Sequence, residues 1–191
     1  MTNCENVCKG LKRVAWGYFF LYFNFNLFTV NLLPGFVGYI LFLSAVTLMR
    51  DEERELSLLY TLGVIMALWT GAEWLVGLVG LKIDGLWQFA DIIISITNLY
   101  FHFQLLTNLA SIAEKYQTDE RSFDKTLLRY RTFQTVMLTV VYVIQFFSPW
   151  MSEVWTVISV CMAIVYIIAG VLVMKTLLDL RRCLQDQIEK E

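Results

Sequence analysis

The chain predicts an all-α polytopic membrane protein, with six transmembrane helices in three antiparallel hairpins and both termini in the cytoplasm. Three observations carry that prediction. First, 58% of the 191 residues are hydrophobic and only 17% are charged, a balance that suits a bilayer-embedded chain and not a water-soluble domain. Second, the apolar residues fall into runs of helix-spanning length. At about 20 residues per crossing the chain holds roughly five to seven helices in one domain, residues 1–191. Third, six crossings put every lysine and arginine except Lys82 on one side. Basic residues concentrate in cytoplasmic loops, so that side is the cytoplasm, and six crossings are favoured over five or seven.

Span one covers about residues 14–30. Lys9, Lys12 and Arg13 precede it as in a signal peptide. Yet the run carries Asn24 and Asn26, reaches Asn31 without a small-residue cleavage site, and is followed by five more apolar segments. It reads as a retained first span. Pro34-Gly35 turns the chain into span two, residues 36–49, only about 21 Å long at 1.5 Å per residue. That hairpin needs Leu32 and Leu33 or local thinning to cross a core of about 30 Å, with a re-entrant pair as the alternative. The charged run Arg50-Asp51-Glu52-Glu53-Arg54-Glu55 closes it.

Spans three and four, residues 56–81 and 86–113, are joined by Lys82-Ile83-Asp84-Gly85, short enough to force an antiparallel pair. A mixed-charge stretch, 114–131, leads to span five, 132–151. That span turns at Ser148-Pro149-Trp150 into span six, 154–174. Leu177, Leu180, Leu184 and Ile188 then share a face beside Arg181 and Arg182, and Phe123, Leu127 and Tyr130 interleave with Arg121, Lys125 and Arg129. Both patterns read as amphipathic anchors at the membrane surface.

Several function classes fall away. A net charge of −2 offers nucleic acid no basic footprint. Cys4, Cys8, Cys161 and Cys183 imply no disulfide framework, and a single histidine leaves no metal set for Cys4 and Cys8 to join. His-Glu-x-x-His, Gly-x-Ser-x-Gly and phosphate-loop patterns are missing, so neither an enzyme nor a cofactor is expected.

The residues that stand out are in span four. Asp91, Ser95, Asn98 and His102 are spaced by four, three and four, one polar stripe on a helix turning about 100° per residue. Ionisable groups inside a span are costly and point to a bundle interior. Glu73, nine residues before Lys82 in span three, lies about 14 Å below the outer end of its helix, and Asp91 about 9 Å below. The two carboxylates can share a site there, with His102 about 25 Å down. A proton or cation path needs such groups, since carboxylates and imidazole exchange protons while Asn and Ser hold water. The structural reading stands beside it: Asp91 wetted at the interface, and His102 bonding a carbonyl or a tyrosine.

Packing accounts for other patterns. Gly63, Ala67 and Gly71 repeat every four residues, a small-residue stripe that lets a neighbouring helix approach. Tyr18, Tyr22, Asn26 and Thr29 in span one, and Gln134, Thr139, Tyr142 and Gln145 in span five, supply interhelical hydrogen bonds of roughly 0.6–2 kcal/mol each.

The segment Phe23-Asn-Phe-Asn-Leu-Phe-Thr-Val-Asn31-Leu-Leu-Pro34-Gly35-Phe-Val-Gly38-Tyr39 resembles the first hairpin of small multi-pass bacterial membrane proteins of uncharacterised function. Those run Leu-Pro-Asp-Phe-Ile-Gly-Tyr, and Gly35 stands here in place of the Asp. The resemblance covers about twenty residues and implies the bacterial inner (cytoplasmic) membrane, with no activity attached. In shape alone, the six helices are similar to the substrate-binding subunits of energy-coupling-factor transporters. Ala15 and Gly17 lack the Ala-xxx-Ala spacing by which those dock.

Two functional classes follow. One is handling of a small solute, ion or proton in a polar interior lined by Glu73, Asp91, Ser95, Asn98 and His102. The other is a non-catalytic membrane subunit that packs against a membrane partner or a second copy.

Overall fold

Helices account for nearly all of the computed structural model, which describes residues 2–23, 26–27, 30–31, 34–53, 56–79, 86–117, 122–147 and 153–189. They are α1 (Thr2–Tyr22), α2 (Gly35–Leu48), α3 (Leu56–Val79), α4 (Leu86–Tyr116), α5 (Phe123–Phe147) and α6 (Glu153–Ile188). Among them α3, Ala90–Tyr116 of α4 and Val160–Ile188 of α6 are long and apolar enough to cross a membrane. α2 is apolar but only 14 residues long, with Pro34 at its N-cap. The expected turns over 82–85 and 148–152 lie outside the described residues, as do Asn24, Thr29 and Gly80.

The first element departs from expectation. α1 begins at Thr2 and stops at Tyr22, so it shares only residues 14–22, about two and a half turns, with the span expected over 14–30. Beyond it, β1 (Asn26–Leu27) and β2 (Val30–Asn31) form a minimal antiparallel pair, Asn26 opposite Asn31 and Leu27 opposite Val30. The reason is local. Phe23-Asn24-Phe25-Asn26 alternates with a period of two, a strand pattern, and asparagine competes with helix by bonding the backbone. Asn26 therefore does not join Tyr18 and Tyr22 on a helical face.

The helices close a ring in chain order. Each packs on the next, α6 returns against α1, and α3 meets α4 least extensively. Glycines set the α1–α2 contact: a Cβ on Gly38 would lie 2.8 Å from the Gly17 carbonyl oxygen, and one on Gly10 would lie 2.6 Å from Met49. Arg13 of α1 donates to the Ser44 hydroxyl of α2. Gly63 works in the same way on α3, where a Cβ would come 2.9 Å from Leu43 and 3.3 Å from Phe101. Ala67 is partly buried on the core beside it, whereas Gly71 stands off Phe36 by 3.8 Å. Only the first member of that stripe marks a tight approach.

The dense core fills one end of the ring. Tyr18, Phe42, Phe101, Leu105 and Leu106 are wholly buried there. So are Leu177, Leu180 and Leu184. This corrects the surface-anchor reading of the tail. α6 does run on past residue 174, but its leucine face joins the same buried cluster as Val7, Leu11 and Val14 of α1. The Cys8 thiol points at the Arg181 carbonyl, 3.9 Å away. Leu127 is likewise fully buried, with Phe123 and Tyr130 packed on the core. These faces cover protein, not the membrane surface.

A polar clamp ties the α2–α3 junction to α4 at this end. The Ser111 hydroxyl donates to Glu53 Oε1 at 2.6 Å, Lys115 Nζ lies 2.9 Å from the same oxygen, and the Tyr116 hydroxyl donates to Glu52 Oε1 at 2.9 Å. The Ser111 bond first, then Lys115, hold the Glu53 carboxyl below the usual carboxylate range. At the other end the outward faces are apolar and open: Val79, Ile93 and Val157 are each more than three-fifths exposed. A surface so apolar suits contact with lipid.

Candidate functional site

At the loosely packed end, α2, α3, α4 and α5 diverge around a cavity of about 650 Å³. Its walls carry Glu73 from α3 and Asp91, Ser95 and Asn98 from α4. The helical periodicity of α4 brings Asp91, Ser95 and Asn98 to one face, and the α3–α4 pairing brings Glu73 opposite. Both carboxylate side chains are exposed, so they stand at the mouth and not in an enclosed interior. Gly77 also lines the space, and a Cβ there would meet nothing within 4 Å.

The floor is one amide held by two phenols. Tyr39 Oη of α2 donates to Asn98 Oδ1 at 2.7 Å, and Asn98 Nδ2 donates to Tyr142 Oη of α5 at 2.6 Å. The two bonds fix which way the amide points and lock three helices at one level. Above it, Trp69 Nε1 donates to Glu73 Oε1 at 2.8 Å, one helical turn away. That bond orients one carboxylate oxygen and leaves the other free to turn toward the cavity.

His102 is not part of this space. It lies one turn below Asn98, 4% exposed, with Nδ1 3.4 Å from Tyr18 Oη. Rings of Tyr18, Tyr39, Phe42 and Phe101 surround it, with centroids 5.5–6.5 Å away. Beneath it Leu105, Leu106 and Leu109 are buried. The spacing that continues the stripe in sequence thus carries it out of the cavity and into the core. Of the five residues singled out in the sequence, Glu73, Asp91, Ser95 and Asn98 meet, and His102 is walled off.

Sequence reading missed Trp69 and Tyr39 as parts of this site. A signal existed for the first, because an indole four residues before a glutamate is placed to bond it on a helix. None existed for Tyr39, whose level against Asn98 is set by the α1–α2 glycine contact. Tyr142 bonds another helix, as its place in span five implies. Gln134 does so too, with Nε2 donating to Tyr22 Oη at 2.9 Å. Thr139 bonds its own helix at the Thr135 carbonyl; the side chain of Gln145 lies outside the described residues.

No family model matches the chain, and no curated protein or solved structure matches it either.

Proposed function

We propose that the chain is a six-span protein of the bacterial cytoplasmic membrane, with both termini inside, that binds a small solute in the cavity between α3 and α4. The observation that carries this is the meeting of Glu73, Asp91, Ser95 and Asn98 around one open space of about 650 Å³, the size of an ordinary small-molecule site. Polar groups that served only as glue between helices would be spent on one another, as Tyr39, Asn98 and Tyr142 are. The two carboxylates at the mouth are not spent in that way. The closed floor and the packed layers beneath it favour binding over conduction through the bundle.

The second reading, a membrane subunit that packs against a partner or a second copy, draws on the exposed apolar faces of α3, α4 and α6. Thermal unfolding of purified protein separates the two. Under the binding reading, adding cations or lowering pH shifts the midpoint, Asp91→Asn and Glu73→Gln each diminish the shift, and His102→Leu preserves it. Equal shifts in all four proteins sink the binding reading. A partner recovered in stoichiometric amount would favour the second.

A further inference from the structure

We infer that the cavity takes an organic cation, a compact ammonium with an apolar body; the inference rests on the cavity being a ligand site. The charge balance comes first. The described residues that line it include Glu73 and Asp91 and no lysine, arginine or histidine. Residues 80–85 lie outside the description, yet even with them counted, residues 56–113 carry Glu73, Asp84 and Asp91 against Lys82 alone, a net of −2. Two carboxylates at the mouth of one space, with no cationic side chain among its described lining residues, give it a negative potential that draws cations in.

The walls say which kind. Tyr39, Trp69, Trp74 and Tyr142 line the same space, and aromatic faces attract ammonium groups while tolerating their alkyl substituents. A bare metal ion wants four to eight converging ligands at short range. Among the described residues no group of three or more His, Cys, Asp or Glu could hold one, and the space is far larger than such an ion. An anion is disfavoured by charge. It would also find few donors, because Tyr39, Trp69 and one Asn98 N–H are already engaged.

Three probes of nearly one shape test the class: choline, its neutral carbon analogue 3,3-dimethylbutan-1-ol, and the anionic 3,3-dimethylbutanoate. Each is titrated into the full chain in detergent, followed by tryptophan emission and by heat. Choline is expected to bind about tenfold more tightly than the alcohol, the scale of one desolvated cation–aromatic contact with charge support. Asp91→Asn should narrow that ratio by weakening choline more than the alcohol, with Glu73 and the aromatic walls keeping a residual preference. If the alcohol or the butanoate binds as well as choline to the unmodified chain, the cation class is overturned and the ligand site survives. If none of the three binds, the ligand site falls with it. The comparison on the unmodified chain stands even if a variant fails to fold.

Discussion

At the scale of single residues, Gly38 and Gly77 make a matched pair. A Cβ on Gly38 would sit 2.8 Å from the Gly17 carbonyl oxygen and 3.1 Å from Leu21, whereas one on Gly77 would meet nothing. Backbone cannot step aside as a flexible side chain can. Gly38→Val is therefore expected to cost about 1–3 kcal/mol or more by overpacking. Gly77→Ala should be neutral or stabilise by up to about 1 kcal/mol through helix propensity. Chemical or thermal unfolding in detergent measures both, and equal effects would contradict the α1–α2 contact. The same contact explains what was illegible about the polar stripe. The spacing of Asp91, Ser95, Asn98 and His102 gives their shared direction from α4 correctly. It carries no information about the depth at which α1 and α2 close over that face. Tyr18 and Phe42 close over it at His102, so a residue that reads as the fourth of a set is packed as core.

At the scale of elements, the long helices were legible and their ends were not. α3 and α4 carry apolar runs bounded by charge, and the structure forms both. α1 differs from the expected span at both ends, because hydrophobicity alone cannot separate a helix from the period-two alternation after Tyr22. Its first turns, which look like a charged leader, have an apolar face of Val7, Leu11 and Val14. That face covers the tail of α6. A leucine face beside arginines looks the same whether membrane or another helix covers it, and only the partner decides. The distinction is measurable: Leu180→Ala should destabilise by about 2–5 kcal/mol as a core truncation, whereas a surface anchor would lose membrane affinity and little fold stability.

The clamp between the α2–α3 junction and α4 also belongs to this scale. The folded carboxyl of Glu53 titrates below its ordinary value of 4.5. Its contribution is therefore complete above that value and is lost as pH falls through the lower, folded one. Unfolding midpoints measured from about pH 6 down to about pH 3 should fall more steeply for the native chain than for Glu53→Gln. Parallel curves would show that the clamp adds nothing.

At the scale of the whole molecule, packing is graded from one end to the other. The end carrying the α1 start, residues 50–53, the α4 C-terminus and the α6 tail is packed like a soluble core. The other end is splayed around an acidic space. The described basic residues belong to the packed end or the helix turns beside it, and basic loops stay in the cytoplasm. The cavity would then open away from the cytoplasm, and the dense end would act as the plug beneath it. A membrane-impermeant thiol reagent tests depth and direction together. In a chain cleared of its native cysteines, Ser95→Cys should be modified from the outer face alone, with choline slowing the reaction. His102→Cys, one turn below the Asn98 floor, should resist modification from either face. Modification of Ser95→Cys from the cytoplasmic side would invert the orientation. Ready modification of His102→Cys would mean that the stripe is wet along its length and would restore the conducting path that the aromatic layer around His102 argues against.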